Sequence, residues 1–191
     1  MATLTVDEFV NRNKAVAATH QPSPTFAEMG QMGVDVPHVI VLTCIDPRCK
    51  PEYFLNLQSG DGVLVMRNIC GHVNPALNDI LALDSFLTIK DILIIHHTDC
   101  GASHFTDAGI REDLKKRLPG HAELDTMGFG AINDLEQSVK DELKILRASP
   151  LVRRELAERA AGFVFDIKTG ELTPVGCEIN RNRFTQPSNM T

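Results

Sequence analysis

The amino-acid sequence predicts a single α/β domain whose central sheet is mainly parallel and flanked by helices. Three apolar segments have the length of strands, at residues 38–44, 62–67 and 91–96, and helix-like segments separate them. Their apolar, β-branched residues alternate little with polar ones, which is typical of parallel strands covered on both faces. Strands that alternate with helices indicate βαβ units.

The first 20 residues predict an amphipathic helix that precedes this pattern. Its apolar residues recur at helical spacing, and Thr5 and Glu8 lie where a capping box would start the helix. A polar linker with Pro22 and Pro24 follows. A lone amphipathic helix outside the main pattern often packs on something else, so residues 1–20 are expected to form an arm that contacts a second subunit. The domain itself is expected to span residues 1–191.

The remaining elements follow from the same kinds of signal. One helix is predicted between the second and third strands, on a face with Ala76, Ile80, Leu83 and Leu87, and a second over residues 132–146. The charged segment 111–120 is predicted to be a surface helix or an excursion of the chain from the main fold. Two short strands around Lys168-Thr169-Gly170 predict a C-terminal hairpin or edge strand. The last dozen residues are polar and are predicted to form an arm or a frayed tail.

Composition excludes several classes of function. The net charge of −6 argues against a nucleic-acid binder, and no apolar run approaches the roughly 18 residues of a membrane span. The N-terminus lacks the basic-then-apolar order of a signal peptide, so a cytoplasmic location is expected. Five cysteines without a secretion signal favour reduced thiols or metal ligands over a disulfide framework.

Two clusters of polar residues follow predicted strands. Cys44, Asp46 and Arg48 come at the end of the first strand, and His97 and Cys100 come at the end of the third. In an open α/β sheet, ligands gather outside the carboxyl ends of parallel strands, so both clusters are expected at one edge. Cys44, His97 and Cys100 form a set of two thiols and one imidazole, which suits zinc with one coordination position open.

These residues resemble the β-class carbonic anhydrases. The resemblance covers roughly residues 39–104 and includes the C-x-D-x-R and H-x-x-C-G motifs. The segment from Gly60-Asp61 to Arg67-Asn68 is similar to the family's G-D-x-x-x-x-R-N stretch, whereas the continuation through Ile69, Cys70 and His72 departs from it. The motif His-His-Thr-Asp-Cys-Gly is also similar to a branch that includes carbonyl sulfide hydrolases.

The resemblance implies a β-carbonic-anhydrase-like fold, one zinc ion per chain, and a homodimer or a multiple of dimers. It implies that Cys44, His97 and Cys100 bind the zinc, and that Asp46 and Arg48 act beside it. The implied reaction is hydration of carbon dioxide to bicarbonate by a metal-bound hydroxide. Asp46 would orient the hydroxide or accept its proton, with Arg48 holding it ionised; released by Arg48, Asp46 would become a fourth zinc ligand.

Other functions remain open at this point. A hydrolase of carbonyl sulfide or carbon disulfide would use the same metal site, since these linear substrates are nearly isosteric with carbon dioxide. A structural or regulatory zinc site is disfavoured because it gains little from the pair Asp46 and Arg48. A cysteine phosphatase is set aside because its arginine would fall at position 50, where this chain has Lys50.

The remaining candidate residues have simpler interpretations. Cys49, Cys70 and Cys177 are expected to be packing thiols, with Cys49 open to oxidation near the metal. His96 is expected to face the opposite side of its strand from His97 and to pack there rather than bind a metal. His104 is a possible substitute ligand, and His72 is either a proton shuttle or a loop residue. Gly101 is expected to permit close backbone approach. Asp46 could merely cap its turn, and Arg48 could merely pair on the surface.

Overall fold

The computed structural model describes residues 4–176, and the predictions for Cys177 and the polar tail lie outside this part. The chain divides into two compact units, the first ending at Asp35 and the second starting at Val36. The first unit holds helices α1 (Val6–Ala17) and α2 (Phe26–Gln31). The prediction of one domain over residues 1–191 with an N-terminal contact arm stays a prediction.

The first helix begins where its capping signal predicts. The Thr5 hydroxyl accepts a hydrogen bond from the backbone N–H of Glu8, at 3.3 Å. The full reciprocal capping box belongs instead to α2, between Thr25 and Glu28, a helix that the sequence reading did not predict. Along α1 the apolar side chains are exposed, including Val6 at 77% and Phe9 at 54%.

The second unit contains a five-stranded sheet with four parallel strands and one antiparallel edge strand. The strand order is β2-β1-β3-β4-β5, and only the β4–β5 pair is antiparallel. The strands are β1 (Val39–Cys44), β2 (Val63–Asn68), β3 (Asp91–His97), β4 (Ala161–Phe165) and β5 (Leu172–Val175). The predicted α/β class, mainly parallel sheet and C-terminal hairpin are therefore confirmed.

Among the described residues, five α-helices accompany this sheet, and the two amphipathic helices predicted for this part of the chain are among them. Their bounds are α3 (Pro51–Phe54), α4 (Val73–Leu87), α5 (Asp107–Arg117), α6 (Leu135–Ala148) and α7 (Arg154–Arg159). The charged segment predicted as a surface helix or excursion lies in and after α5, which has no buried residue. Ile132 lies before α6 rather than in it, because Asp134 caps the helix through the backbone N–H of Gln137.

The core has two parts, one on each face of the sheet. Ile40, Leu42, Ile92 and Ile94 pack with α4, α6 and α7, whereas Val41 and Ile95 belong to the second cluster. Neighbouring residues of a strand point to opposite faces, so strands buried on both sides must be apolar at consecutive positions. This is why the strands show little alternation. Between residues 4 and 176, no helix is long and apolar enough to cross a membrane.

Candidate metal centre

The two polar clusters meet where β1 and β3 end. These strands are parallel neighbours, with Thr43 opposite Ile95, so Cys44 and His97 emerge at the same edge of the sheet. Cys100 follows after a tight turn. One ligand atom from each of Cys44, His97 and Cys100 lies within 4.8 Å of the other two, and all three residues are buried. The Sγ atoms of Cys44 and Cys100 are 3.7 Å apart.

The orientation of His97 suits a metal ligand. Its Nδ1 lies 2.9 Å from the carbonyl oxygen of Thr98, which can only accept, so Nδ1 carries the proton. Its Nε2 therefore keeps a free lone pair, yet this atom is buried and has no hydrogen-bond partner within residues 4–176. A buried acceptor without a partner costs about 1–3 kcal/mol, which coordination of a cation would offset.

The two thiols also require a cation to become thiolates. Their mutual hydrogen bond and burial raise the pKa of Cys44 to about 11, so a second negative charge is disfavoured in this pocket. Zinc binds the thiolate form and prefers sulfur and nitrogen ligands in a tetrahedral arrangement. The donor set of Cys44, His97 and Cys100 thus fits zinc, with one position left for a further ligand.

Asp46 and Arg48 form a closely bonded pair beside this group. The Arg48 Nε donates to Asp46 Oδ1 at 3.0 Å, and Nη2 donates to Oδ2 at 2.7 Å. Hydrogen bonding to Arg48 lowers the pKa of Asp46 to about 2, so its carboxylate is ionised at neutral pH. Asp46 Oδ2 lies 3.9 Å from His97 Nε2. Asp46 also caps its turn, since the Arg48 backbone N–H donates to Oδ1 at 2.8 Å.

Asp99 is a site residue that the sequence reading did not single out. Its carboxylate Oδ2 accepts a hydrogen bond from Arg48 Nη1 at 2.7 Å, and its carbonyl oxygen accepts one from Nη2 at 2.9 Å. His104, considered as a substitute ligand, instead places Nε2 2.9 Å from Asp99 Oδ1. The sequence signal for Asp99 was its position between His97 and Cys100. Asp is also one of the few residues that tolerate the left-handed backbone found at this position.

His96 lies in a separate buried polar network on the other face of β3. Its Nδ1 is 2.7 Å from the Ser138 hydroxyl, which itself donates to the carbonyl of Leu135. Burial lowers the pKa of His96 to about 4, so this imidazole is neutral. Its ring meets that of His72 edge-on, with the centroids 5.8 Å apart. Packing, the role predicted for His96, agrees with this placement.

The side chain of His72 is largely buried and does not belong to the metal group. Its Nδ1 lies 2.6 Å from Glu142 Oε1 on α6, and Nε2 lies 3.0 Å from the carbonyl of Gly130. Glu142 also accepts the backbone N–H of Val73 at 2.6 Å, where α4 begins. The side chains of His72 and Glu142 are largely buried, so this ion pair serves helix placement. The sequence reading did not find Glu142, which lies 70 positions from His72.

The turn after β2 passes close to the metal loops. Asn68 Oδ1 accepts the backbone N–H groups of Gly71 and His72, at 3.0 and 2.8 Å. Gly71 has a φ of 93°, and a Cβ there would lie 2.9 Å from the Cα of Thr43. The close backbone approach predicted for Gly101 is wrong, since a Cβ at that position would meet no atom of the described residues within 4 Å. Gly71 makes such an approach instead.

The other thiols stay outside the metal group. Cys49 is fully buried, and its Sγ lies 3.1 Å from the Thr43 hydroxyl. Cys70 is also fully buried and has a left-handed backbone, with a φ of 62°. Arg67 donates a hydrogen bond to the carbonyl of Cys49, and its Nη2 lies 3.7 Å from Glu52 Oε2. These contacts agree with packing roles for Cys49 and Cys70.

Known proteins resemble this chain over most of its length. Beta-carbonic anhydrase 1 of Mycobacterium tuberculosis is 26% identical over 139 residues, covering 72% of this chain and 82% of that protein. A carbon disulfide hydrolase of Acidianus sp. is 29% identical over 154 residues, covering 69% and 74%. The carbonic anhydrase structure from Streptococcus mutans is 28% identical and superposes with a TM-score of 0.73, covering 92% of this chain and all of that one.

A family-level match covers the sheet and the metal centre together. The carbonic anhydrase family model matches residues 39–172, from the first residue of β1 to the first residue of β5. This range contains Cys44, Asp46, Arg48, His97 and Cys100, whose geometry is described above. The chain therefore belongs to the β-carbonic anhydrase family.

Proposed function

We propose that this protein is a zinc-dependent enzyme that hydrates carbon dioxide to bicarbonate and a proton. The observation that carries the proposal is the buried group of Cys44, His97 and Cys100, with an ionised Asp46 beside it. Zinc held by the three ligands would supply a Lewis acid that lowers the pKa of a water molecule. A purely structural site would not need the adjacent pair of Asp46 and Arg48.

The role of Asp46 follows from its charge and its hydrogen bonds. Its Oδ2 faces His97 Nε2 at 3.9 Å, so the carboxylate borders the position that a ligand to the open site would take. A carboxyl group with a pKa of about 2 is a weak base, so it is better suited to accept a hydrogen bond and orient the donor than to retain a proton. Arg48 keeps this carboxylate ionised and turned toward itself.

The same carboxylate can also close the site. With Arg48 released, Asp46 would lose its main hydrogen-bond donors and could approach the metal as a fourth ligand. Metal binding by Asp46 and positioning by Arg48 are thus alternative states of one side chain. The hydrogen bonds present in this structure favour the state in which Arg48 holds Asp46.

A second candidate function is hydrolysis of carbonyl sulfide or carbon disulfide at the same site. The specific observation is the similarity to the Acidianus carbon disulfide hydrolase, at 29% identity. Carbonyl sulfide and one water molecule would give carbon dioxide and hydrogen sulfide. Carbon disulfide and two water molecules would give carbon dioxide and two molecules of hydrogen sulfide. The required ligands and the orienting carboxylate are the same for all three substrates.

One preparation of the zinc-loaded chain can test both candidates. We expect stopped-flow acidification with carbon dioxide, and little sulfide release from carbonyl sulfide or carbon disulfide. Sulfide release at a higher kcat/KM than carbon dioxide hydration would establish the second candidate instead. Intact zinc without turnover of any of the three substrates would contradict both and would favour a structural zinc site.

The proposed assembly is a homodimer or a multiple of dimers, in which residues 1–20 contact a second copy. Support comes from the exposed apolar side chains along α1, among them Val6, Phe9, Val10 and Val16. Light scattering should give at least twice the mass of one chain, and a monomer would contradict the assembly. We also propose a cytoplasmic location, because the four buried thiols within the described range are free and suit a reducing compartment.

A further inference from the structure

The guanidinium of Arg48 bridges the two loops that carry the metal ligands. On its own loop, Nε and Nη2 donate to the carboxylate of Asp46. On the loop after β3, Nη1 donates to the carboxylate of Asp99 at 2.7 Å, and Nη2 donates to the Asp99 carbonyl at 2.9 Å. The residues joined in this way are 51 positions apart in the chain.

The backbone of Asp99 makes this double contact possible. Its φ of 53° is in the left-handed region, where a residue other than glycine costs of order 1 kcal/mol or more. In this conformation the carbonyl and the carboxylate reach the same guanidinium. The second carboxylate oxygen lies 2.9 Å from His104 Nε2, so the side chain is held from both sides.

A second anchor matters because Arg48 is half exposed, with 47% of its side chain accessible. Asp46 lies only two residues before Arg48, so their pair alone could move together with the loop after β1. Asp99 lies between His97 and Cys100, and its hydrogen bonds therefore locate Arg48 relative to the metal ligands themselves. Charge-assisted hydrogen bonds to both carboxylates from one planar guanidinium also fix its orientation.

We propose that Asp99, supported by His104, is a positioning residue that holds Arg48 and thereby keeps the Asp46 carboxylate beside the metal site. This role rests on the proposed function of Asp46. Asp99 acts on the site through its hydrogen bonds to Arg48. Its loss is expected to leave the metal bound while allowing Arg48, and then Asp46, to move.

The variant Asp99→Gly tests this role, because glycine accepts the left-handed backbone and retains the carbonyl acceptor. In the zinc-loaded chain we expect an unchanged metal content and a fall in kcat/KM of about 10-fold, the scale of a charged hydrogen bond. Asp99→Asn should recover part of this loss, since its amide oxygen can still accept from Arg48. Asp125→Gly is the matched control, because Asp125 pairs with Lys115 on the surface.

Two measurements separate positioning from a general structural role. The loss of kcat/KM caused by Asp99→Gly should disappear in an Arg48→Ala background, since the guanidinium that Asp99 holds is then absent. The Arg48 Nε–H signal in proton–nitrogen NMR, assigned by its absence in Arg48→Lys, should exchange with solvent faster in Asp99→Gly than in the wild type or the Asp125→Gly control.

Either of two results would overturn the positioning role. One is equal exchange of the Arg48 Nε–H in wild type and Asp99→Gly. The other is an equal loss of kcat/KM from Asp99→Gly whether Arg48 is present or absent. If the chain turns over none of the proposed substrates, the proposed function fails, and the exchange measurement then decides the role of Asp99 by itself.

Discussion

Two consecutive histidines of β3 lead into regions with different chemistry. His96 and His97 are both fully buried, both have a partner for Nδ1, and both leave Nε2 without a hydrogen bond among the residues described. They point to opposite faces of the sheet, so their surroundings differ. His97 faces two thiols and a carboxylate, whereas His96 faces Ser138 and the ring of His72.

The difference shows that burial and tautomer alone do not create a candidate metal site. Around His97, thiols that can become thiolates and an ionised Asp46 supply negative charge for a cation. Around His96, burial and the neighbouring His72 lower the pKa to about 4, so the environment opposes positive charge. Glu142, the acidic residue of that region, is already bonded to His72 and to the N–H of Val73.

The largest expected effect comes from replacing the two histidines in turn. His97→Ala should abolish zinc binding, because it removes one of the three ligands. His96→Ala should lower the free energy of unfolding by opening a cavity, yet leave the zinc content of the folded protein unchanged. Metal analysis of the purified variants, with circular dichroism as the folding control, checks this pair. Zinc loss in both variants would contradict the division between the two regions.

The second effect concerns turnover rather than metal binding. Asp46→Ala should retain zinc and reduce kcat by about 100-fold, the loss typical when one positioned hydrogen-bond partner of the reacting group is removed. The reason is that Asp46 borders the open metal position without being needed to hold the ion. Metal content and carbon dioxide hydration should be measured on one sample. Turnover equal to the wild type would remove Asp46 from the mechanism.

A third change should disturb only the region of His96. A Cβ on Gly130 would lie 2.6 Å from the His72 ring, so Gly130→Ala should displace that ring and lower the free energy of unfolding by about 2 kcal/mol. Zinc content should not change. Gly120→Ala is the matched control, because Gly120 has a similar φ of 87° but a Cβ there would meet no atom within 4 Å in the part of the chain that the structure describes. Equal losses in chemical denaturation would show that the contact with His72 contributes nothing.

The smallest expected effect is a pH dependence of stability. The hydrogen bond with Glu142 raises the pKa of His72 above its ordinary value of 6.5, against the opposing effect of burial. The resulting stabilisation is fully present below pH 6.5 and is lost as the pH rises through the pKa of the folded state. The contribution of His72 to the free energy of unfolding should therefore fall as the pH rises above about 6.5.

The variant His72→Gln should weaken this slope, because the glutamine amide does not titrate. Denaturation curves of zinc-loaded protein at several pH values provide the measurement. A wild-type slope in His72→Gln would show that the ion pair with Glu142 has no part in the pH dependence.

The features that the sequence predicted correctly depend on local patterns of residues. The apolar segments placed the three central strands to within one residue at each end, and helix periodicity found α1, α4 and α6. The order of strand and ligand residues also placed Cys44 and His97 at one edge. One prediction failed because the contact depends on packing between distant segments: Gly71 rather than Gly101 makes the close backbone approach. Helix α2 was missed for a different reason, since it has no buried face that would give an apolar periodicity.

The sequence by itself determined the strand ends, the types of side chain at the candidate metal site, and the opposite faces of His96 and His97. These follow from residue chemistry and from the two-residue period of a strand, which act between near neighbours. Only the tertiary structure decided that Asp99 bonds to Arg48 and Glu142 to His72, across 51 and 70 positions. Such contacts depend on strand order, on register and on where α6 packs, and no short stretch of sequence specifies these.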